Sequence, residues 1–306
     1  MVNEPSGCPH RLAWPRTRPF QGRNTGSNPV GDTSRWLKRP SRRWLAIRNA
    51  HDYHASWYNY WGQVPVSHSD ATTLFFQYTF RFPDGNERLF EVRLNADTLK
   101  LLSPPDAPKP AWTKLKFFQC ENCPLGDDVE HCPVAVNLAG LVETFKDAVS
   151  FEKAFVRVQT AERAYEKETT LQKGLSSIIG IYMVTSDCPV MDKLRPNVRF
   201  HLPFASMDES VYRAVAMYLM AQYFRMRDGQ EPDWELKHLR DIYKEVACVN
   251  RGMSERLRHA TAEDANVNAV IILSTHGDMV PTSAEDRLAD MAQWFRGYVQ
   301  GGKAEG

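Results

Sequence analysis

The chain has 306 residues, of which 42% are hydrophobic and 25% are charged, and its formal net charge is +1. This composition is typical of a water-soluble globular protein, and it excludes the strongly basic class of proteins that bind nucleic acid or acidic membranes. No apolar run approaches the roughly 18 residues of a membrane-spanning helix, and the N-terminus lacks the apolar region of a secretory signal. We therefore expect a cytoplasmic protein with no membrane partner, whose six cysteines are free thiols or metal ligands rather than disulfides.

Residues 1–65 differ from the rest of the chain in composition. They contain nine arginines and five of the eight tryptophans but only three acidic residues, and no helical or strand period runs through them. The pentapeptide "GSNPV" (26–30) can be encoded by the conserved T-arm of a transfer RNA gene, which favours a reading frame opened too early. The alternatives are a disordered tail and a basic, aromatic arm that binds nucleic acid. We predict that residues 1–70 are a disordered or spurious extension.

The folded region is predicted to begin with strands. In "LFFQYTFRF" (74–82) every second residue is apolar, which is the period of a half-buried strand. The sequence "PDGN" (83–86) is typical of a hairpin turn, and "RLFEVRLN" (88–95) returns as the second strand. A third strand is predicted at "AFVRVQTA" (154–161), whereas the charged "TAERAYEKE" (160–168) is interpreted as a solvated surface with ion pairs.

Helical patterns dominate the second part of the chain. Apolar residues recur at helical spacing over residues 134–145, 171–182 and 234–246. Three sequences of the capping-box type predict helix starts, namely "SMDE" (206–209), "TAED" (261–264) and "SAED" (283–286).

Strands first and helices afterwards indicate an α+β protein. We predict a single domain over residues 71–300 and a flexible tail at 301–306. The domain would consist of an N-terminal antiparallel β-hairpin or small sheet with a Cys-rich metal knuckle, followed by a mainly α-helical half.

Three cysteines lie close together in "CENCPLGDDVEHC" (120–132). A Cys-x-x-Cys pair allows two thiolates to meet at one ion, and a tetrahedral zinc site needs two further ligands. Cys132 is within reach, and Cys188 in "TSDCP" is our preferred fourth ligand, since adjacent His131 and Cys132 would seldom bind one ion together. Prolines follow Cys123, Cys132 and Cys188 and stiffen the chain there. We predict that one structural Zn²⁺ is bound by Cys120, Cys123, Cys132 and Cys188, in a protein with a binding or regulatory role.

Two other uses of the same cysteines stay open. Four thiolates also suit an iron–sulfur cluster, although the spacing does not match the usual ferredoxin patterns. Cys120 and Cys123 could form a redox dithiol, but no helical pattern begins at Cys123 to lower a thiol pKa.

The sequence contains no phosphate-binding glycine loop, no Gly-x-Ser-x-Gly and no His-Glu-x-x-His, so no catalytic motif is recognised. The partner is not predicted, and the balanced charge argues against nucleic acid.

One further segment carries candidate chemistry. The sequence "RPNVRFHLPF" (195–204) brings together Arg195, Arg199 and His201. It could form an anion-binding edge with a general base, or a surface loop with a partly satisfied histidine.

The chain resembles a bacterial family of uncharacterised proteins, domain of unknown function 6901. The resemblance lies in "YTFRFPDGNERLFEVRL", "CENCPL…HCPVAVNL" and "TSDCPVMDKLRPNVRFHLPFASMDESVYR" and covers about residues 73–275. The cysteine and "RFHLPF" stretches are its most specific parts. The resemblance implies no established activity and no catalytic residue, and it implies that the region up to about Asp70 lies outside the family's pattern.

Overall fold

The computed structural model describes residues 72–102 and 109–299. Our predictions for the extension at 1–70 and the tail at 301–306 lie outside these described residues. The described part combines one sheet with a mainly helical half, so the α+β class is confirmed.

Four antiparallel strands form the sheet in the order β2-β1-β3-β4. They are β1 (Thr73–Arg81), β2 (Glu87–Asn95), β3 (Lys153–Gln159) and β4 (Ala164–Thr170). The first two are joined by the predicted hairpin, in which Gly85 has a φ of +86° and its N–H donates to the Phe82 carbonyl at 3.0 Å. Glycine adopts this backbone region without a steric cost, which explains why the turn forms here.

Strand β4 was not predicted. Most of it falls within "TAERAYEKE" (160–168), which the sequence analysis interprets as a solvated charged surface, and most of the side chains of β4 are indeed exposed. It nevertheless pairs with β3 along its whole length, with Arg157 opposite Glu166 in an ion pair. An edge strand that exposes charged side chains lacks the apolar alternation by which strands are recognised, and the charges protect its free edge.

Seven helices follow or interrupt the strands in the described residues. They are α1 (Pro133–Thr144), α2 (Leu171–Val184), α3 (Pro196–Arg199), α4 (Met207–Arg227), α5 (Leu239–Arg258), α6 (Ala265–Met291) and α7 (Arg296–Val299). None of them is both long and apolar enough to cross a membrane.

The main core lies between the sheet and helices α1 and α2. The inward residues of β1 predicted from the alternation, including Phe76, Tyr78 and Phe80, are almost completely buried. Helix α2 approaches the sheet closely at Gly174, where a β-carbon would lie 2.8 Å from the side chains of both Phe80 and Val156. Only glycine permits this contact without a shift of the helix.

The start of α4 matches its prediction and the start of α6 does not. Ser206, the residue before α4, and Glu209 form a reciprocal capping box. In "TAED", however, the Thr261 hydroxyl donates to the Leu257 carbonyl, and Asp264 accepts hydrogen bonds from Ser150 instead of capping α6. The segment therefore ties the helix to the loop after α1 and is not a capping box.

The predicted helix start at "SAED" is wrong, because Ser283 lies inside the continuous helix α6. The buried residues Val280 and Ala284 pack with Val211 and Val215 of α4 in a second apolar cluster. This packing holds the turn around Ser283 in helical form, so no free N–H groups remain there for a cap. Helix α5 also starts later than predicted, since Trp234 lies in the loop before it.

Candidate functional site

The Cys120–Cys123 pair lies in a tight turn. The Cys123 N–H donates to the Cys120 carbonyl at 3.0 Å, so that the chain reverses between the two thiols. The turn is fixed from outside by Asn122, whose side-chain amide donates to the Glu245 carbonyl of α5 at 3.0 Å. The predicted geometry of a Cys-x-x-Cys ligand pair is thus compatible with the backbone here.

Cys132 occupies the N-cap position of α1, and Pro133 is the first helical residue. Its N–H donates to the Thr113 carbonyl at 2.8 Å, and the residue is buried. The backbone that follows Cys132 is held rigidly, because the ring of Pro133 fixes its own φ at a helical value.

Cys188 lies in the turn that follows α2 and is also buried. The backbone N–H groups of Met191 and Val190 donate to its sulfur. Hydrogen bonds from backbone N–H groups favour the anionic form of a thiol, although burial acts in the opposite direction and raises the pKa of Cys188 overall. The sulfur therefore lies in a loop that is already folded around it.

These four thiols lie close enough to one another to interact electrostatically. Cys120 interacts electrostatically with Cys132, Cys123 and Cys188, and Cys188 interacts with Cys132 and Cys123. All four belong to or pack against the same apolar core. Burial, with these neighbouring thiols, raises the pKa of Cys120 to about 12. Thiols separated by up to 68 positions in the sequence thus affect one another's ionisation.

A finished coordination geometry is not present in the part of the chain that the structure describes. No group of three or more His, Cys, Asp or Glu side chains there has an arrangement that could hold a metal ion as it stands. The metal knuckle therefore stays a prediction, and a metal would require the thiol side chains to turn toward one another.

His131, the alternative ligand, is engaged elsewhere. Its Nδ1 lies 2.9 Å from the Thr113 hydroxyl, and its Nε2 lies 3.4 Å from a Glu130 carboxylate oxygen. The imidazole also lines a separate cavity of about 410 Å³ between the start of α1 and the end of α2. The imidazole of His131 is thus already paired with Thr113 through its Nδ1.

Arg256 is the residue of this site that the sequence analysis missed. It is only 1% exposed, and its guanidinium donates to the carbonyls of Trp112 and Lys114, both at 2.6 Å, and of Leu115 at 3.2 Å. Among residues 72–102 and 109–299, no carboxylate forms an ion pair with it. Its electrostatic partners are the thiols of Cys132, Cys120 and Cys123. Nothing in the spacing of the sequence connects an arginine of α5 with cysteines more than a hundred residues earlier.

Cys120 packs closely against α5 at Gly252, which lies one turn before Arg256. A β-carbon at Gly252 would lie only 2.8 Å from the Cys120 sulfur. The cysteine turn therefore packs directly against the backbone of α5.

The sequence of residues 76–296 matches the protein family described as Domain of unknown function (DUF6901). The chain belongs to this family. The match spans more than half of the chain and confirms the resemblance seen in the cysteine and "RFHLPF" segments. No curated protein and no solved structure matches the chain.

A cavity of about 610 Å³ in this DUF6901 domain lies beside His201. The His201 Nε2 is 2.7 Å from the Tyr78 hydroxyl and 3.3 Å from the Ser177 hydroxyl. Burial lowers the pKa of His201 to about 3, and the positive charge of Arg213 contributes to this shift. The imidazole is therefore neutral at physiological pH and serves as a hydrogen-bonding group in the cavity wall.

The arginine nearest to His201 in sequence does not share this cavity. Arg199 is exposed and does not contribute to the wall, whereas Arg213 of α4 does. The interpretation of "RPNVRFHLPF" as one anion-binding edge is thus wrong in its choice of arginine. Arg195 is also directed elsewhere, since its guanidinium donates to the Ser186 carbonyl at 3.1 Å and pairs with Asp192.

Proposed function

We propose that Cys120, Cys123, Cys132 and Cys188 bind one structural zinc ion, and that this DUF6901 protein acts as a binding or regulatory module built around it. The buried guanidinium of Arg256 is the observation that carries the proposal. A buried charge is costly unless an opposite charge compensates it. In the described part of the chain no carboxylate does so, and the neighbouring thiols are the available groups.

Neutral thiols would compensate this charge poorly, whereas thiolates on a metal would compensate it well. Four thiolates around Zn²⁺ carry a net negative charge, and the complex would lie beside a fixed cation. The carbonyl groups that hold Arg256 come from the loop just before the cysteine turn. The same side chain would thus position the loop and neutralise the site, as outer groups around metals commonly do.

The local backbone also supports a sulfur-bound metal. Two N–H groups donate to the Cys188 sulfur, and the Cys120–Cys123 turn is closed by a backbone hydrogen bond. Soft thiolate ligands in a set of four suit a closed tetrahedral zinc site, which has no open position for substrate. This donor set favours a structural role over catalysis at the metal.

Zinc at this position would connect three parts of the fold. The cysteine turn lies against α5, Cys132 begins α1, and Cys188 follows α2. Because metal binding to a site that exists only in the folded state contributes directly to folding free energy, zinc would stabilise the whole domain. A domain tied together in this way could present its helical surface to a partner.

Elemental analysis of the full chain tests the proposal. Protein purified without chelators should contain about one zinc per chain, since the four ligands form one closed tetrahedral site. The Cys188→Ser variant should lose most of this metal. Cys248→Ser is the matched control, because Cys248 is a half-buried free cysteine of α5 outside the cluster, and it should retain the zinc.

Three results would overturn the zinc proposal. Cys188→Ser could keep a full zinc content, the wild-type protein could contain no metal, or an anaerobically purified sample could be brown and contain iron. The last result would establish the iron–sulfur alternative instead. A redox dithiol at Cys120 and Cys123 is disfavoured, since redox-active cysteines need a lowered thiol pKa and that of Cys120 is raised.

A further inference from the structure

The 610 Å³ cavity beside His201 has a strongly biased lining. Its volume falls within the range of roughly 300–1,000 Å³ that is usual for small-molecule sites. Three basic residues line it, namely Lys167, Lys173 and Arg213. Among the described residues of the lining, none is an aspartate or a glutamate. Such an excess of positive charge in a concave site attracts an anion.

The cations are arranged from the mouth of the cavity to its interior. Lys167 and Lys173 are exposed, so they lie where the cavity opens to solvent, and the Lys167 ammonium is 5.9 Å from the centre of the Phe204 ring. Arg213 is partly buried, and burial lowers the pKa of its guanidinium. Arginine suits the recognition of a carboxylate at such a position, because its planar group can donate two parallel hydrogen bonds.

Arg213 retains hydrogen-bonding capacity for a ligand. One of its terminal nitrogens donates to the Asn197 carbonyl at 2.9 Å. The carboxylate of Glu209, one helical turn earlier, interacts electrostatically with Arg213. That carboxylate, however, accepts hydrogen bonds from the Ser206 N–H and hydroxyl at 2.7 and 2.9 Å. Within the described residues no carboxylate lies close enough to form an ion pair with Arg213.

The rest of the wall is mostly apolar. It includes Ile181, Met183, Val198, Leu202, Val246 and Leu273 from the helices and loops around the cavity. Ser177 and His201 contribute polar groups to the wall, and both hydrogen-bond to the buried Tyr78 hydroxyl. In the described residues no carboxylate hydrogen-bonds to His201, so a serine-type catalytic triad is not formed there. The cavity is therefore suited to binding rather than to acyl transfer.

We propose that this cavity binds an amphiphilic small-molecule carboxylate, with its charged end at Arg213 and its apolar body against the aliphatic wall. The inference is independent of the zinc proposal, since none of the four cysteines lines the cavity.

Isothermal titration of the full chain with octanoate tests this assignment. Octanoate should bind with a stoichiometry of one per chain, because both its charge and its apolar chain find partners. Acetate has the charge without the chain, and octan-1-ol has the chain without the charge, so each should bind at least about tenfold more weakly than octanoate.

Variants separate the cavity from general surface charge. Arg213→Gln should weaken octanoate binding by about tenfold or more. Arg227→Gln removes the same charge from the exposed end of the same helix, and it should leave binding unchanged within about twofold, since a surface charge outside the site contributes little. The substitutions Lys167→Gln and Lys173→Gln, both at exposed positions, should together weaken binding by about threefold to tenfold.

Several outcomes would overturn the assignment. Octanoate could fail to bind at millimolar concentration, or acetate or octan-1-ol could bind as tightly as octanoate. Octanoate affinity could also be unchanged in the double lysine variant and in a folded Arg213→Gln protein. If Arg213→Gln does not fold, the double lysine variant alone decides the question, because both of its sites are exposed.

Discussion

Gly252 and Cys120 are in direct contact, since a β-carbon on Gly252 would lie 2.8 Å from the Cys120 sulfur and 3.3 Å from its Cα. Turning the thiol aside would relieve the first contact but not the second, which involves the backbone. We therefore expect Gly252→Ala to lower the free energy of unfolding by about 1–3 kcal/mol, despite the higher helix propensity of alanine. Urea denaturation followed by circular dichroism measures this change.

Gly140→Ala is the matched control for this substitution. Gly140 lies within helix α1, is exposed, and has no heavy atom within 4 Å of the position of a β-carbon. Alanine at this position should raise the free energy of unfolding by about 0.5–1 kcal/mol, because it restricts the unfolded chain. An equal stabilisation by Gly252→Ala would show that Cys120 is not held against α5.

Replacing Arg256 by methionine tests the buried cation. Methionine fills a similar volume, but it leaves the carbonyls of Trp112, Lys114 and Leu115 without their donor. We expect the free energy of unfolding to fall by about 3–5 kcal/mol, the range typical for removing one partner from a buried polar network. The zinc content of the folded fraction should fall as well, since the thiolates would lose their neighbouring cation.

Arg258→Met provides the comparison two residues away. Arg258 is exposed and pairs with Glu255 at the surface of the same helix. A change within about 0.5 kcal/mol is expected, because exposed ion pairs contribute little to stability. Similar losses in the two variants would mean that Arg256 has no special role.

Two serines with the same predicted function distinguish a real helix cap from an apparent one. Ser206 accepts a hydrogen bond from the Glu209 N–H, so Ser206→Ala should lower the free energy of unfolding by about 1 kcal/mol. Ser283 lies inside α6, so Ser283→Ala should leave stability unchanged or raise it by up to about 0.5 kcal/mol. The reverse order in thermal or urea unfolding would contradict the continuous helix.

The stability of the domain should depend on pH through His201. In the unfolded chain its pKa is about 6.5, whereas in the folded protein burial lowers the pKa to about 3. Between these values the unfolded state binds a proton that the folded state does not. The free energy of unfolding should therefore decrease as the pH falls below about 6.5, by up to about 1.4 kcal/mol per pH unit.

The His201→Gln variant removes this contribution and keeps an acceptor for the Tyr78 hydroxyl. Between pH 7 and pH 5 the wild-type protein should lose up to about 2 kcal/mol more than the variant in urea unfolding. His238→Gln, at an exposed histidine before α5, should behave like the wild-type protein. Identical pH profiles for His201→Gln and wild type would show that His201 is protonated equally easily in both states.

Local patterns in the sequence determined the elements whose stability is local. The Asp84-Gly85 turn, the alternation along β1 and the Ser206–Glu209 box each depend on residues within a few positions of one another. Their physical causes, which are backbone conformational freedom, side-chain direction and the free N–H groups of a helix start, act over the same short range. For the same reason, the Cys-x-x-Cys spacing alone indicated a candidate pair of ligands.

Only the tertiary structure decided the features that depend on distant segments. Strand β4 exists because β3 offers it a partner, and the helix around Ser283 continues because Val280 and Ala284 pack against α4. The proximity of Arg256 to the cysteines, and the cavity that contains Arg213 and His201, arise in the same way. The free energy of such contacts depends on which surfaces the folded chain brings together, and no short stretch of sequence contains that information.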